Sequence, residues 1–471
     1  MIHQILGKLI KTPRYCYFYD TNRNEVVQIS DVLYKGIEKV QKQKEQSLIA
    51  EELEAITRFQ EEGYLSENRV QVVEHPITQM LPTFLSRKVA NITLQVTQAC
   101  NFRCSYCIYS AENNEGQRSH SAKVMDLSMA KKGIDFLRAH SIDAKKVTIS
   151  FYGGEPLLMF SLIKSVVKYA EEVLIGKEIM YSMTTNGSLL DDEVIQFLRE
   201  KEFHLLISLD GPENIHDSCR KFAVTGKGTF ETVFSNLVHI RECYPDFFEK
   251  IGISMVMNPR NDFDLINKLY TEYDGLFNSL QLNATIVDDI YSQDKNVYSP
   301  EYCEKRAYMD FLAYLVYLKR INPDGVSPIS TSAVDMLVDK KNKMASTPML
   351  PNRCAPSGPC IPGQMRLFMD VDGNLFPCER VSEKSNVMKI GNIHSGFDNI
   401  KVENMINIGK LTSDECKKCW AFPQCTICAR NADGGDSFSA ERKLMYCNRS
   451  RAAAYYDLKA MIMLDEIQAK Y

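Results

Sequence analysis

The stretch Cys100-Asn101-Phe102-Arg103-Cys104-Ser105-Tyr106-Cys107 puts three thiols on one short loop, and the next cysteine in the chain is as far away as Cys219. A closed four-iron cubane takes four cysteine ligands, so a set of three leaves one iron open to a small molecule. Structural zinc asks for four ligands, commonly in Cys-x2-Cys pairs, and disulfides belong to oxidising compartments. The spacing therefore reads as an iron-sulfur cluster with an open corner, where chemistry can start.

The triad resembles the CxxxCxxC signature of the radical S-adenosylmethionine (SAM) superfamily. The resemblance implies a SAM-binding 4Fe-4S cluster at Cys100, Cys104 and Cys107, with SAM held on the open iron by its amino and carboxylate groups. It also implies that one electron from the cluster cleaves SAM to a 5'-deoxyadenosyl radical, which takes a hydrogen from the substrate.

With 471 residues the chain has room for about three domains of ordinary size. Its 56 Lys and Arg nearly balance 60 Asp and Glu, so electrostatics give no argument for nucleic acid or an anionic membrane as a partner. The start, Met-Ile-His-Gln-Ile-Leu-Gly-Lys, lacks the features of a secretory signal, and no later stretch is apolar enough to span a bilayer. A cytoplasmic location is expected, and in that reducing compartment 15 cysteines point to cluster ligation more than to crosslinks. Cys16, Cys219, Cys243 and Cys303 stand outside the two cysteine groups and read as small buried hydrophobes.

Residues 15–29 alternate around Asp20-Thr21-Asn22-Arg23-Asn24, the pattern of a hairpin turned by Asp and Asn. Helices are predicted over 31–42 and 47–61, the second stopping at Gly63. This arrangement over residues 1–85 resembles the winged-helix precursor-recognition domain fused ahead of radical SAM peptide-modifying enzymes. The resemblance implies that a precursor's leader adds as a strand to an exposed sheet edge. The alternative is a cap packed on the barrel.

Over residues 88–300, apolar strands near 92–96, 147–151, 181–185, 205–209, 251–257 and 280–287 alternate with helices. Such repeats predict an α/β fold with a parallel sheet and right-handed crossovers. The family's form of it is a partial (β/α)6 barrel, with active-site loops at the carboxyl ends of the strands. Gly153-Gly154-Glu155-Pro156 resembles the family's GGEP motif, whose backbone meets the SAM ammonium, an approach that glycine permits. Ser208 and Asp210, with Arg220 downstream, resemble the segment that meets the SAM ribose and carboxylate, and a guanidinium fork suits a carboxylate. The alternative has Asp210 capping a turn and Arg220 in a surface ion pair. Asn186 and Tyr106 complete the SAM-binding candidates, Tyr106 by lying against the adenine or by shielding the cluster.

Residues 301–350 read as a helical bridge to a last segment, 351–471, that carries eight cysteines. Cys360, Gly373 and Cys378 keep the pattern C-x(9-15)-G-x(4)-C, and Cys416-x2-Cys419-x5-Cys425 keeps the core of the SPASM extension, which binds two auxiliary clusters. Carried over by resemblance, one auxiliary 4Fe-4S cluster falls to Cys354, Cys360, Cys378 and Cys428, and the other to Cys416, Cys419, Cys425 and Cys447. Only two residues separate Cys425 from Cys428, where the family has three. A zinc ribbon at Cys416, Cys419, Cys425 and Cys428 is the alternative. Asp370 to Asn374 reads as a hairpin turn, since no bidentate Glu follows where a calcium loop needs one. Glu379 stands where the sulfatase-maturing members of the family carry an Asp used as a base, and is the candidate catalytic base or substrate contact, the alternative being a surface or cluster-neighbouring carboxylate.

The resemblance implies an enzyme that modifies a ribosomally made, cysteine-containing precursor peptide with a leader, joining a sulfur to a carbon as sactipeptide and ranthipeptide maturases do. An electron donor such as flavodoxin or ferredoxin would serve it. Carbon-carbon crosslinking, formylglycine-type oxidation and a noncatalytic iron-sulfur electron carrier are the alternatives.

Overall fold

The computed structural model describes residues 5–109, 118–273, 276–277, 280–292, 295–345, 349–356 and 360–468, so the first four residues of the start lie outside it. Strands β1 (Gly7–Lys11), β2 (Cys16–Asp20) and β3 (Glu25–Ile29) form an antiparallel sheet, and the predicted hairpin pairs Asp20 with Glu25. Strand β1 was not foreseen, because Gly-Lys-Leu-Ile-Lys offers only two apolar residues to mark it. One face of this sheet, with Cys16 and Phe18, packs on Leu33, Ile37 and Val40 of helix Asp31–Gln41 and on Ile56 and Phe59 of helix Ala50–Glu61. The other face, with Ile10, Tyr17 and Tyr19, packs on Leu458, Met461 and Ile462 of the C-terminal helix Cys447–Gln468. That helix, and not a barrel face, is where the N-terminal sheet is seated.

Strands β4 (Asn91–Thr97), β5 (Lys146–Gly153), β6 (Glu178–Thr185), β7 (His204–Ser208), β8 (Ile251–Met257) and β9 (Gln281–Ile286) run parallel, side by side, in that order. Their side chains alternate: in β5, Val147, Ile149 and Phe151 are buried under the helices, while Thr148, Ser150 and Tyr152 between them are half-buried on the face toward the barrel interior. The helices Leu127–His140, Asp192–Glu200 and Phe263–Glu272 start at Asp126, Asp191 and Asp262, whose carboxylates accept from first-turn N–H groups left without helical partners.

The sheet does not end at β4. Strand β10 (Phe368–Met369) pairs parallel with it, setting Phe368 opposite Thr93, and β11 (Asn374–Phe376), β12 (Gly391–Asn392) and β13 (Gly396–Phe397) follow antiparallel. Between β10 and β11 the predicted hairpin turn is present, with the Asp370 carboxylate accepting from the Asp372 and Asn374 amides and Gly373 at φ +81°. The loop carrying Cys378 thus hangs from the same sheet as the loop carrying Cys100.

Of the four cysteines expected to be buried, Cys16 is, Cys219 is half-buried, and Cys243 and Cys303 are exposed. Cys243 ends the helix Phe230–Cys243 and Cys303 lies in the first turn of Pro300–Tyr317, positions whose outward face composition alone does not reveal. Among the described residues no helix is long and apolar enough to cross a membrane.

Candidate active site

A cavity of about 680 Å³ opens at the carboxyl ends of the parallel strands. Cys100, Cys104, Cys107 and Tyr106 line it from the loop after β4, Gly153 and Gly154 from the end of β5, Asn186 from beyond β6, and Ser208 and Arg220 from β7 and beyond. The cysteine loop is fastened by a short antiparallel pairing of Phe102–Cys104 with Arg220–Phe222, which sets Arg220 opposite Cys104, and Phe102 packs edge-on against Phe222 at 5.1 Å.

Gly153 and Gly154 cannot be replaced without moving backbone. A Cβ on Gly153 would sit 2.2 Å from the Thr97 carbonyl oxygen, at a φ of +153°, and one on Gly154 would sit 2.1 Å from that of Ala99. The amides of Gly154 and Glu155 donate to those same two carbonyls, clamping the motif to the start of the cysteine loop. Glu155 does not line the cavity. Its buried carboxylate accepts from the Leu157 amide, the Thr185 hydroxyl and the Asn186 amide, so it shapes the turn that presents Asn186. Burial pushes its carboxyl up against the pull of those three bonds.

Arg220 is not in a surface pair. It donates to both oxygens of Asp210, from Nε at 2.7 Å and from Nη2 at 3.0 Å, with both side chains buried. The Tyr106 hydroxyl also donates to Asp210, and the Arg220 guanidinium lies 5.5 Å from the Tyr106 ring. Burial works against the Asp210 charge, but the Arg220 charge and these hydrogen bonds outweigh it and hold the carboxyl below its usual range. Sequence reasoning treated Asp210 and Tyr106 apart. Only the fold shows that Asp210 carries Arg220 and Tyr106 together.

Burial, the main cause, pushes the Cys100 and Cys104 thiols up to about 12, so each would keep its proton at neutral pH unless a metal displaced it. Three such thiols around one cavity wall are a donor set suited to iron, and Cys100, Cys104 and Cys107 are the residues that would hold the first cluster.

From the C-terminal region the cavity is lined by Arg366, Glu379, Cys428, Arg430 and Arg449. The Glu379 carboxylate is held by Arg366 at 3.2 Å, and its backbone carbonyl accepts from the fully buried Arg118. Arg118 also pairs with Glu383 at 2.9 Å and lies 4.4 Å from the Phe368 ring, tying the Cys378 loop to the sheet. No motif marked Arg118, because its partners come from distant segments.

Cys378 feels Cys360 and Cys428, while Cys425 and Cys447 each feel Cys416 and Cys419. Among the described residues, no three metal-binding side chains converge as one ion requires. The resemblance places Cys354 with Cys360, Cys378 and Cys428. Cys354 lies in a strand pair with Val72–Val73 and packs, like Cys416, on Val70, Val73, Leu350 and Phe422.

Residues 94–269 match the Radical SAM superfamily. These residues form a radical SAM domain. Over 387 residues it is 26% identical to a cysteine-type anaerobic sulfatase-maturating enzyme of Clostridium perfringens, covering 78% of this chain and 95% of that one. It is 34% identical over 171 residues to an uncharacterized protein of Methanocaldococcus jannaschii, covering 36% of this chain and spanning only 54% of that relative. The solved structure of native anSMEcpe with bound AdoMet and Kp18Cys peptide has the same fold, with a TM-score of 0.59 at 20% identity over 81% of this chain and 99% of that one. The protein is a radical SAM enzyme related to sulfatase maturases, with a cysteine-rich C-terminal region that fits SPASM.

Proposed function

We propose that the protein modifies a ribosomally made, cysteine-containing peptide by forming sulfur-to-carbon thioether crosslinks. The observation that carries this reading is a single cavity lined both by Cys100, Cys104, Cys107 and Arg220 and by Glu379 and Cys428. When bound, the cofactors supply a hydrogen-abstracting radical at the Cys100 loop and electron acceptors in the C-terminal region. A thioether removes two hydrogens from the peptide, so a carbon-bound hydrogen atom, a thiol proton and an electron must leave.

This chain's residues are assigned as follows. Ser208 and Arg220 orient SAM, with Tyr106 and Asn186 beside them, and the glycine backbone of Gly153 and Gly154 lets it approach. Glu379 takes the thiol proton, being a cavity carboxylate held by Arg366. The peptide's leader docks on the N-terminal sheet, whose outer strands β1 and β3 each have one unpaired edge among the described residues. A cytoplasmic setting and a flavodoxin or ferredoxin donor suit this chemistry.

A second reading, oxidation of a cysteine to formylglycine, is favoured by the name of the Clostridium perfringens relative. The extra methylene of Glu379, where those enzymes carry Asp, counts against it. Mass spectrometry decides between them, using a cysteine-containing peptide encoded beside this gene, anaerobic turnover and then thiol alkylation. Loss of two hydrogens and one alkylatable thiol with sulfur retained supports the thioether. Loss of sulfur with an aldehyde formed supports formylglycine and overturns it.

A further inference from the structure

We propose that Lys443 is a positioning residue that acts through Cys416 and raises the electron affinity of the second auxiliary site. The inference rests on the reading that Cys416, Cys419, Cys425 and Cys447 hold a cluster. Lys443 is only 3% exposed, on the short helix Ala440–Met445. Its ammonium donates to the Thr412 hydroxyl and to the Cys416 Sγ at 3.4 Å, and neither bond is to a carboxylate.

An ammonium removed from water needs a compensating anion nearby. At this site the partner is a sulfur. A neutral thiol would leave the Lys443 charge unbalanced, whereas a metal-bound thiolate answers it, so the buried lysine and the cysteine set explain each other.

Two hydroxyls add to the effect. Thr412 Oγ1 lies 3.4 Å from Cys416 Sγ, and Ser450 Oγ lies 3.8 Å from Cys425 Sγ. A cluster gains one negative charge when reduced, and a buried cation with hydrogen bonds to its sulfurs favours that state, moving the reduction potential up. Lys443 touches neither the SAM-site cavity nor any residue assigned to the substrate.

The test is a reductive titration of the anaerobically reconstituted full chain followed by electron paramagnetic resonance, with the second site's signal identified as the one that Cys416→Ser removes. Lys443→Met is expected to move that signal's midpoint to more negative potential, Lys443→Arg to keep it near the wild-type value, and Thr412→Val to lower it by less than Lys443→Met does. An unchanged midpoint in Lys443→Met overturns the inference and leaves the cluster reading standing. Absence of any signal sensitive to Cys416→Ser overturns both. If Lys443→Met does not assemble the site, Thr412→Val decides, and an unchanged midpoint there overturns the inference.

Discussion

Arg220 grips both oxygens of Asp210, at 2.7 Å and 3.0 Å, inside the wall of the cavity. Arg220 belongs to the strand pairing that fastens the cysteine loop, and Asp210 also accepts from the Val256 amide of β8 at 2.9 Å. One carboxylate therefore joins the cluster loop to the far strands of the barrel.

Removing that carboxylate's charge leaves a buried guanidinium unpaired, a change that costs roughly 3–5 kcal/mol. Asp210→Asn is expected to destabilise the fold by that order in chemical denaturation and to weaken SAM binding in calorimetry. The double variant Asp210→Asn/Arg220→Gln should recover part of the stability and none of the binding.

Gly153→Ala brings a Cβ against the Thr97 carbonyl in a backbone conformation that costs about 1–3 kcal/mol for other residues. Since Thr97 leads directly into the cysteine loop, the expected result is lower iron content together with lost SAM cleavage. Gly176→Ala, at φ +83° with nothing near its Cβ, is the control for backbone strain and should retain both.

The barrel was legible in the sequence and the couplings across it were not. Each of the six parallel strands carries apolar residues at alternate positions, as in Val147, Ile149 and Phe151, and such local patterns survive in one dimension. The glycines, Ser208 and Arg220 could be found because a spaced motif carries them. Arg118, Asp210 in its joint role and Lys443 have no such mark, since each takes its meaning from a partner brought near by folding. Glu155 sits inside a motif and still lies behind the cavity wall, because a motif can preserve a turn as readily as a contact.

His216 gives the pH dependence a definite sign. Its Nδ1 accepts from the Asp210 amide and its Nε2 faces the Thr229 hydroxyl at 3.0 Å, while burial, aided by the Arg220 charge, lowers its pKa from 6.5 to about 4. The unfolded chain binds that proton first, so the contribution of neutral His216 is complete above pH 6.5 and is lost as pH falls toward about 4. A displacement of this size corresponds to about 3 kcal/mol. Melting temperature measured across this window should fall for the wild type and fall less for His216→Gln.

The N-terminal sheet depends on the C-terminal helix, because Ile462 packs among Ile10, Tyr17 and Tyr19. Ile462→Ala is expected to cost about 2–5 kcal/mol. The loss should appear in hydrogen exchange as faster labelling of β1 and β2, with β4 to β6 unchanged. Equal acceleration in the barrel strands would mean that the two regions unfold as one unit.

The central claim is that a hydrogen leaves a cysteine-containing peptide within this cavity. The most direct test is anaerobic turnover with that peptide deuterated at its non-exchangeable carbons, with mass analysis of the 5'-deoxyadenosine released and of the peptide after thiol alkylation. The predicted result is deuterium in the nucleoside, matched by loss of one alkylatable thiol per crosslink. Unlabelled nucleoside and an unchanged peptide, despite SAM cleavage, would contradict it.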